Sequence, residues 1–599
     1  MDFYNFYSGR EFEAYQYLGA HVVKDGVVFR TFAPAAQRIS VIGEFNCWQE
    51  TPMNRVYDGN FWECYIKEAE VGMMYKYRIY RQDGTCIDHA DPYGFFAELR
   101  PRTASIIYDL TRYTFHDRAW MKTRKCWKDG PVNIYEVHFG SWKRRSDGAE
   151  DWYSYEEMAD LLIPYIKEHG YNYVELMPLG EYPCDESWGY QATGFFSPTS
   201  RYGEPDGLRR FVDQCHKEKI GVILDFVPVH FAVNDYGLMR YDGTALYEYP
   251  HVHVGYNEWG SHNFMHSRSE VCSFLQSSAY YWLKEYHIDG LRMDAVSNLI
   301  YWQGDTGRGE NKDAIRFLQN MNTGLKERMD DILLIAEDSS AYPKVTAPAA
   351  EGGLGFDYKW DMGWMNDTLS YFQAATPERR VKYHKLTFSM HYFYNEKYLL
   401  PLSHDEVVHG KATIIQKMNG DYEQKFSQAR AFYLYMYAHP GKKLNFMGNE
   451  LGQLREWDEK REQDWGILAY PIHDAFCHLI SDLNRLYLKY PALYRLDYDR
   501  RGFRWIDCGQ EQKCVYVFER SDGSQRILSV FNFSDEEQIY EYRTEKKQTY
   551  QLLIASDMEE YGGERKYSET KTVFTADKVK FSLSPFSGRY YSVRQLLKS

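Results

Sequence analysis

The chain has 599 residues, with 71 Lys and Arg against 85 Asp and Glu, a net charge of −14. That length predicts several domains, and the mild acidic excess argues against nucleic acid and anionic membrane surfaces as partners. No stretch approaches the roughly 18 apolar residues of a membrane span, and the opening MDFYNFYSGREFEAY carries neither a basic n-region nor an apolar h-region, so no signal peptide is expected.

Residues 1 to about 115 consist of short alternating runs such as VVFRTF (27–32), RISVI (38–42) and MYKYRIY (74–80), separated by turn residues. This pattern predicts an N-terminal β-sandwich over 1–115. Gly130-Pro131 then marks a junction. From there the texture becomes short apolar runs alternating with helical patterns. One helix is predicted over 155–168, with Met158, Leu161, Leu162, Tyr165 and Ile166 on one face. Another is predicted over 206–219, with Asp206 as its N-cap. Eight strands are predicted: 133–140, 173–178, 221–227, 290–296, 332–338, 356–362, 399–405 and 443–448. Strand–helix alternation means a parallel sheet, and eight such units predict an α/β fold, a closed (β/α)8 TIM barrel spanning 116–496. A small irregular insert follows the third strand at about 230–262. Alternation returns at 497–599, in VYVF (515–518) and ILSVFNF (527–533), and predicts a C-terminal β-sandwich.

Ten cysteines are scattered from Cys47 to Cys514 with no CxxC pair, which reads as buried small apolar residues in a reducing cytoplasm. Aromatic residues make up 17% of the chain. Aromatic faces stack on the C–H faces of sugars, so this composition raises the prior for a carbohydrate partner.

In a (β/α)8 barrel, reactive side chains come from the C-terminal ends of strands. The third strand ends in VILDFVPVH, with Asp225 and His230. The fourth ends in DGLRMDAV, with Arg292 and Asp294. The fifth ends in LLIAEDS, with Glu337 and Asp338. The seventh ends in LPLSHDEVVHGK, with His404, Asp405 and Glu406. A single acid at such a point is explained by helix capping. Four strands that all end in acids are not, because crowded carboxylates raise each other's proton affinity at a cost in stability. Retaining glycoside chemistry needs one ionised and one protonated carboxyl. No HExxH or EF-hand spacing is present, so neither a metal nor another cofactor is expected. Strand alternation turns Glu406 away from Asp405, a structural position.

These strand ends resemble the conserved regions of the α-amylase superfamily and, within it, the 1,4-α-glucan (glycogen) branching enzymes. The motifs are WGYQATGFFSPTSRYG (188–203), DFVPVHF (225–231), DGLRMDAV (289–296), IAEDSS (335–340), GGLGFDYKWDMGWMNDTL (352–369), LSHDEVVHGK (402–411) and REWDEKREQDW (455–465). The last two are narrow and favour branching enzymes over amylases. FRTFAPAAQRISVIGEFNCW (29–48) and DPYGFFAELRPRTAS (91–105) resemble the glycogen-binding-type sandwich, carbohydrate-binding module 48-like, that precedes such barrels. The resemblance implies Asp294 as nucleophile, Glu337 as acid/base and Asp405 as transition-state stabiliser. It implies that Arg292 keeps Asp294 ionised, that His230 and His404 bind sugar hydroxyls, that Tyr190 stacks under the ring and that Asp225 orients Arg292 or His230. The implied partner is an α-glucan polysaccharide (glycogen, amylose or amylopectin), and the implied protein is a cytoplasmic monomer, with a dimer as the alternative. A hydrolase or debranching enzyme of the same superfamily and a non-catalytic glucan-binding scaffold are the rival readings. One departure stands out: where these enzymes carry an Asn-Tyr pair after the Trp-Gly of the third-unit loop, WGSHNFMHSRSEV (259–271) places Met265 and His266. In the N-terminal sandwich, Trp48 and Trp62 are candidate sugar platforms, with buried packing as the favoured reading of each.

Overall fold

Residues 1–124, 130–146, 148, 150–567 and 573–595 are described by a computed structural model. Alternating burial in Gly26–Phe32 and Met74–Tyr80 builds the N-terminal layer, because every second side chain faces the core. Gly19–Val23, Gly26–Phe32, Phe61–Ile66 and Asn54–Val56 form one antiparallel sheet. Arg38–Gly43, Met74–Tyr80 and Cys86–His89 form the body of a second. Trp62 is buried in this region, with its Nε1 donating to the Ala33 carbonyl at 3.0 Å, whereas Trp48 is 40% exposed.

Eight strands follow: β1 (Asn133–Val137), β2 (Tyr173–Leu176), β3 (Gly221–Phe226), β4 (Gly290–Met293), β5 (Leu333–Ala336), β6 (Tyr358–Trp360), β7 (Tyr398–Leu402) and β8 (Lys442–Phe446). They close into a barrel in sequence order. Every residue of β3, β4 and β5 is buried, as expected of strands covered on both faces. All eight predicted strands are present but shorter. β4 stops at Met293, β5 at Ala336 and β7 at Leu402, so the acids that follow them stand on loops.

The helix predicted over 155–168 spans Tyr155–Glu168. The next helix spans Pro205–Lys217, with Glu204 at the N-cap and Pro205 in the first turn. Asp206 is therefore not the cap, because proline's fixed φ and missing N–H suit it to start the helix one residue earlier. The insert is more regular than expected: His230–Ala232 pairs antiparallel with Ser261–Asn263, and Val252–Gly255 is a short helix. At the C-terminus, six antiparallel strands from Phe503 to Gln595 surround a core that includes Val515, Leu528, Tyr550 and Phe581. No helix among the described residues is long and apolar enough to cross a membrane.

The chain divides into two compact units. One holds the N-terminal sheets and β3–β5; the other holds β1, β6–β8 and the C-terminal sheet. In the first, a buried ion network anchors the starts of β3 and β4. His216 bonds Asp117 at 2.7 Å and Asp289 at 2.9 Å, and Asp289 also accepts from the Val222 backbone and from Trp120 Nε1. His287 reaches Asp117 at 2.8 Å, and Arg124 pairs with Asp331. Burial opposes charge on His216, but Asp289 and Asp117 outweigh it and lift its pKa to about 9. A folded-state pKa above the unfolded value near 6.5 gives stability that is complete below that value and is lost as pH rises through 9. The melting temperature should therefore fall between pH 7 and pH 9.5 by the equivalent of a few kcal/mol. In His216→Gln the protein should be less stable at pH 7 and should lose most of that alkaline slope, as checked by calorimetry across pH.

Candidate active site

In the β3–β5 unit, Asp225 of β3 stands opposite Arg292 of β4 in the parallel register. The Arg292 side chain is 1% exposed. Its Nη1 donates to Asp225 Oδ2 at 3.1 Å and to Asp294 Oδ1 at 2.7 Å. Tyr190 donates its hydroxyl to the same Asp225 oxygen at 2.6 Å and lies 3.4 Å from Arg292 Nη1. Burial works against the guanidinium's charge, but Asp225, Tyr190, Asp294 and Glu337 together hold its pKa well above the usual value. The same Nη1 thus ties Asp225 on β3 to Asp294 just after β4.

Tyr190 is delivered by a turn that needs its glycine. Trp188 and Gly189 have φ of +56° and +94°, and a Cβ on Gly189 would sit 2.3 Å from the Pro178 carbonyl oxygen. The Tyr190 carbonyl in turn accepts from His230 Nε2 at 3.0 Å. Burial lowers the His230 pKa against the pull of Asp294, so its ring is neutral.

Glu337 follows β5 directly, and its Oε2 accepts the Ala295 backbone N–H at 2.7 Å. Ala295 has φ +48°, a left-handed conformation that costs an ordinary residue about 1–2 kcal/mol. The Glu337 carboxylate therefore grips the residue immediately after Asp294. Backbone bonds reinforce the link: Asp294 N–H to the Phe226 carbonyl, Glu337 N–H to Met293 and Val296 N–H to Glu337. The first unit thus brings Tyr190, Asp225, His230, Arg292, Asp294 and Glu337 together.

His404 and Asp405 lie in the other unit, after β7. Glu136 of β1 accepts from the His404 backbone N–H at 3.0 Å and from its Nδ1 at 2.6 Å. This fixes the ring so that Nε2 faces Asp405 Oδ1 at 3.5 Å. His404–Val407 is a 3-10 turn, so strand alternation ends before it. The expectation that alternation turns Glu406 away gives way to a different cause: the turn buries Glu406 beside Lys411, 3.4 Å from its Nζ, while the Asp405 side chain stays 45% exposed.

Sequence reasoning missed the clamp on this loop. Glu456 accepts from the backbone N–H groups of Gly410 at 2.9 Å and Ala412 at 2.6 Å, and these bonds hold its carboxyl below the usual range. The loop it grips turns through left-handed residues His409, Gly410 and Ala412. Lys417, its pKa lowered by burial to about 8, donates to the Glu406 and Ala412 carbonyls. Trp457 N–H donates to the Val407 carbonyl at 3.0 Å. Glu136 was missed as well, although an acid inside a short barrel strand that is buried throughout is a signal in itself.

Comparison with known proteins gives a consistent set of matches. Residues 17–94 match carbohydrate-binding module 48 (isoamylase N-terminal domain). Residues 160–237 and 251–548 match the alpha amylase catalytic domain, and residues 505–594 match the alpha amylase C-terminal all-beta domain. The 1,4-alpha-glucan branching enzyme GlgB of Fusobacterium nucleatum is 45% identical over 585 residues, covering 95% of each chain. That of Halothermothrix orenii is 44% identical over 613 residues, covering 99% of this chain and 96% of its own. A pullulanase from Bacillus acidopullulyticus shares the fold, with a TM-score of 0.72 at 16% identity over 96% of this chain and 74% of the other.

Charge-assisted hydrogen bonds are worth about 1.5–3 kcal/mol each. Glu456→Gln can accept only one of the two N–H groups without turning its own amide donors on the other. Amide hydrogen exchange at Gly410 and Ala412 should accelerate by roughly ten- to a hundredfold, while the protected core amides of β7 and β8 keep their rates.

Proposed function

We infer the chemistry from one premise: the chain belongs to the alpha-amylase family and, within it, to the 1,4-alpha-glucan branching enzymes. It is an enzyme that cuts an α-1,4 bond in a glucan chain and transfers the freed chain to a 6-hydroxyl, making an α-1,6 branch. The substrate is an α-glucan such as amylose, amylopectin or glycogen. We assign residues 1–115 to the glycogen-binding-type sandwich, 116–496 to the barrel and 497–599 to the C-terminal all-β domain. The nine described cysteines are free thiols, in keeping with work in a reducing cytoplasm.

In this reading Asp294 Oδ attacks the anomeric carbon as the C1–O4 bond breaks. Glu337 gives its proton to the departing O4, so the non-reducing part of the donor is left as an ester on Asp294. Glu337, now ionised, takes the proton from an incoming 6-hydroxyl. That oxygen attacks C1 and frees Asp294. Asp405 grips hydroxyls of the sugar as positive charge develops at C1. His230 and His404 hydrogen-bond sugar hydroxyls, Tyr190 stacks under the ring and Asp225 orients Arg292.

One observation carries the assignment of the pair. Arg292 Nη1 donates to Asp294 at 2.7 Å, while the Glu337 carboxyl accepts the very next backbone N–H. A nucleophile aimed by a buried cation and an acid built onto the same turn are what a double displacement requires. Transfer outcompetes hydrolysis if the acceptor hydroxyl is positioned well enough to beat water.

Incubation with linear amylose tests the activity. New α-1,6 linkages with little net gain in reducing ends support branching. A rise in reducing ends without branches indicates a hydrolase, and no change indicates a scaffold. Asp294→Asn should cut turnover by at least about a thousandfold while glucan binding and melting temperature persist. A fluorinated glycosyl fluoride should label Asp294 in a peptide map, and a label on any other carboxylate would overturn the assignment.

A further inference from the structure

The insert after β3 exposes large apolar side chains: Trp259 is 44% exposed, Tyr256 46% and Val252 75%. Exposed aromatic rings on a protein surface call for a reason, since each gives up stabilisation it would gain by burial. Trp259 is also not loose. Its carbonyl accepts from Gln191 Nε2 at 2.7 Å, and its N–H donates to Asn257 Oδ1 at 3.2 Å. The buried Asn257 ties the turn shut by also accepting from Ser261 N–H at 3.0 Å and donating to Asn263 Oδ1 at 3.0 Å. Gly260, at φ +76°, lets the chain reverse there. The Trp259 ring is 5.5 Å from the His230 ring, and Gln191 directly follows Tyr190. Tyr256 is fixed in the same manner, its carbonyl accepting from Gln303 Nε2 at 3.0 Å and its ring edge-on to His262.

We propose that Trp259, supported by Tyr256, is a stacking platform for a glucose unit of an α-glucan chain lying next to the sugar at Asp294. The inference rests on the branching reading above and deepens it by naming a binding surface for that substrate. An indole face matches the apolar C–H face of a pyranose. A turn whose backbone is already held on both sides of the Trp259 side chain loses less freedom when the sugar arrives, which favours affinity. Contact with His230 joins the platform to the residues that reach the reacting sugar. Its position on the chain's own insert makes it a feature of substrate grip rather than of bond chemistry.

The test compares wild type, Trp259→Ala, Trp259→Phe and Tyr256→Ala on amylose and on maltoheptaose. Trp259→Ala should raise KM for amylose about tenfold with kcat within threefold of wild type. Trp259→Phe should restore most of the loss, and Tyr256→Ala should give a smaller rise in KM. Titrating maltoheptaose should quench tryptophan fluorescence in the wild type and much less in Trp259→Phe, a readout that does not depend on turnover. An unchanged KM together with unchanged quenching overturns the platform. A fall in kcat at constant KM in Trp259→Ala overturns it too, because the side chain would then be serving the chemistry. A wild-type protein that quenches with maltoheptaose but forms no α-1,6 linkage refutes the branching reading and leaves glucan stacking standing.

Discussion

A guanidinium sealed inside a barrel must be answered on every side, and Arg292 sets that demand. An unpaired buried charge costs several kcal/mol, more than most single packing defects. The chain meets it with Asp225 in register on the neighbouring strand, Asp294 two residues on and the Tyr190 hydroxyl that shares the Asp225 oxygen. Each partner is then constrained in turn. Asp225 is held between Arg292 and the Tyr190 hydroxyl, and Asp294 is aimed by the same Nη1. Tyr190 must arrive through a glycine turn, and its carbonyl then fixes His230. Several residues that would touch sugar are therefore positioned by a single buried positive charge.

Much of this was legible in the sequence, and the reason is physical. Parallel barrel strands are covered on both faces, so they read as short apolar runs, and an ionisable residue at the end of such a run stands out. Asp294, Glu337 and Asp405 stand out on that ground, as do Asp225, Asp338 and Glu406, and it is the family resemblance that singles out the first three. What the sequence hides is long-range register. Nothing in DFVPVHF and GLRMDAV says that Asp225 faces Arg292, because the alignment of two strands 67 residues apart is set by barrel closure. The reading of Glu406 rested on alternation running past Leu402, where the backbone instead tightens into a 3-10 turn. The Asp206 cap gave way to Pro205 for a local reason that composition does show, proline's preference for the first helical turn.

The two narrowest motifs turn out to describe one object. HDEVVHGK and the alanine after it supply a loop with three left-handed residues, His409, Gly410 and Ala412, a conformation that ordinary side chains resist. REWDEKREQDW supplies its restraint: Glu456 on two loop N–H groups and Trp457 N–H on the Val407 carbonyl, with Lys417 closing the carbonyl side. Neither motif makes structural sense alone. A strained loop without the carboxylate would relax, and a carboxylate without the concave run of N–H groups would face water. Residues some fifty positions apart therefore share a constraint that looks, in sequence, like two unrelated signatures.

The departure at Met265 and His266 takes on a specific meaning in this setting. It reads in sequence as a change to a substrate-facing loop, but His266 is buried, and its Nε2 donates to the Pro228 carbonyl at 2.9 Å. Burial pushes the pKa of that ring down to about 4. The Phe264 N–H holds the Val229 carbonyl, and the Asp294 N–H holds that of Phe226. Three carbonyls of the segment that ends in His230 are thus pinned from behind by three separate donors. The His266 side chain thus bears on the site through the backbone that leads to His230. The exposed part of the same stretch is the turn that carries Trp259. The loop therefore has a buried end that braces the backbone before His230 and an exposed end that projects an aromatic ring beside it.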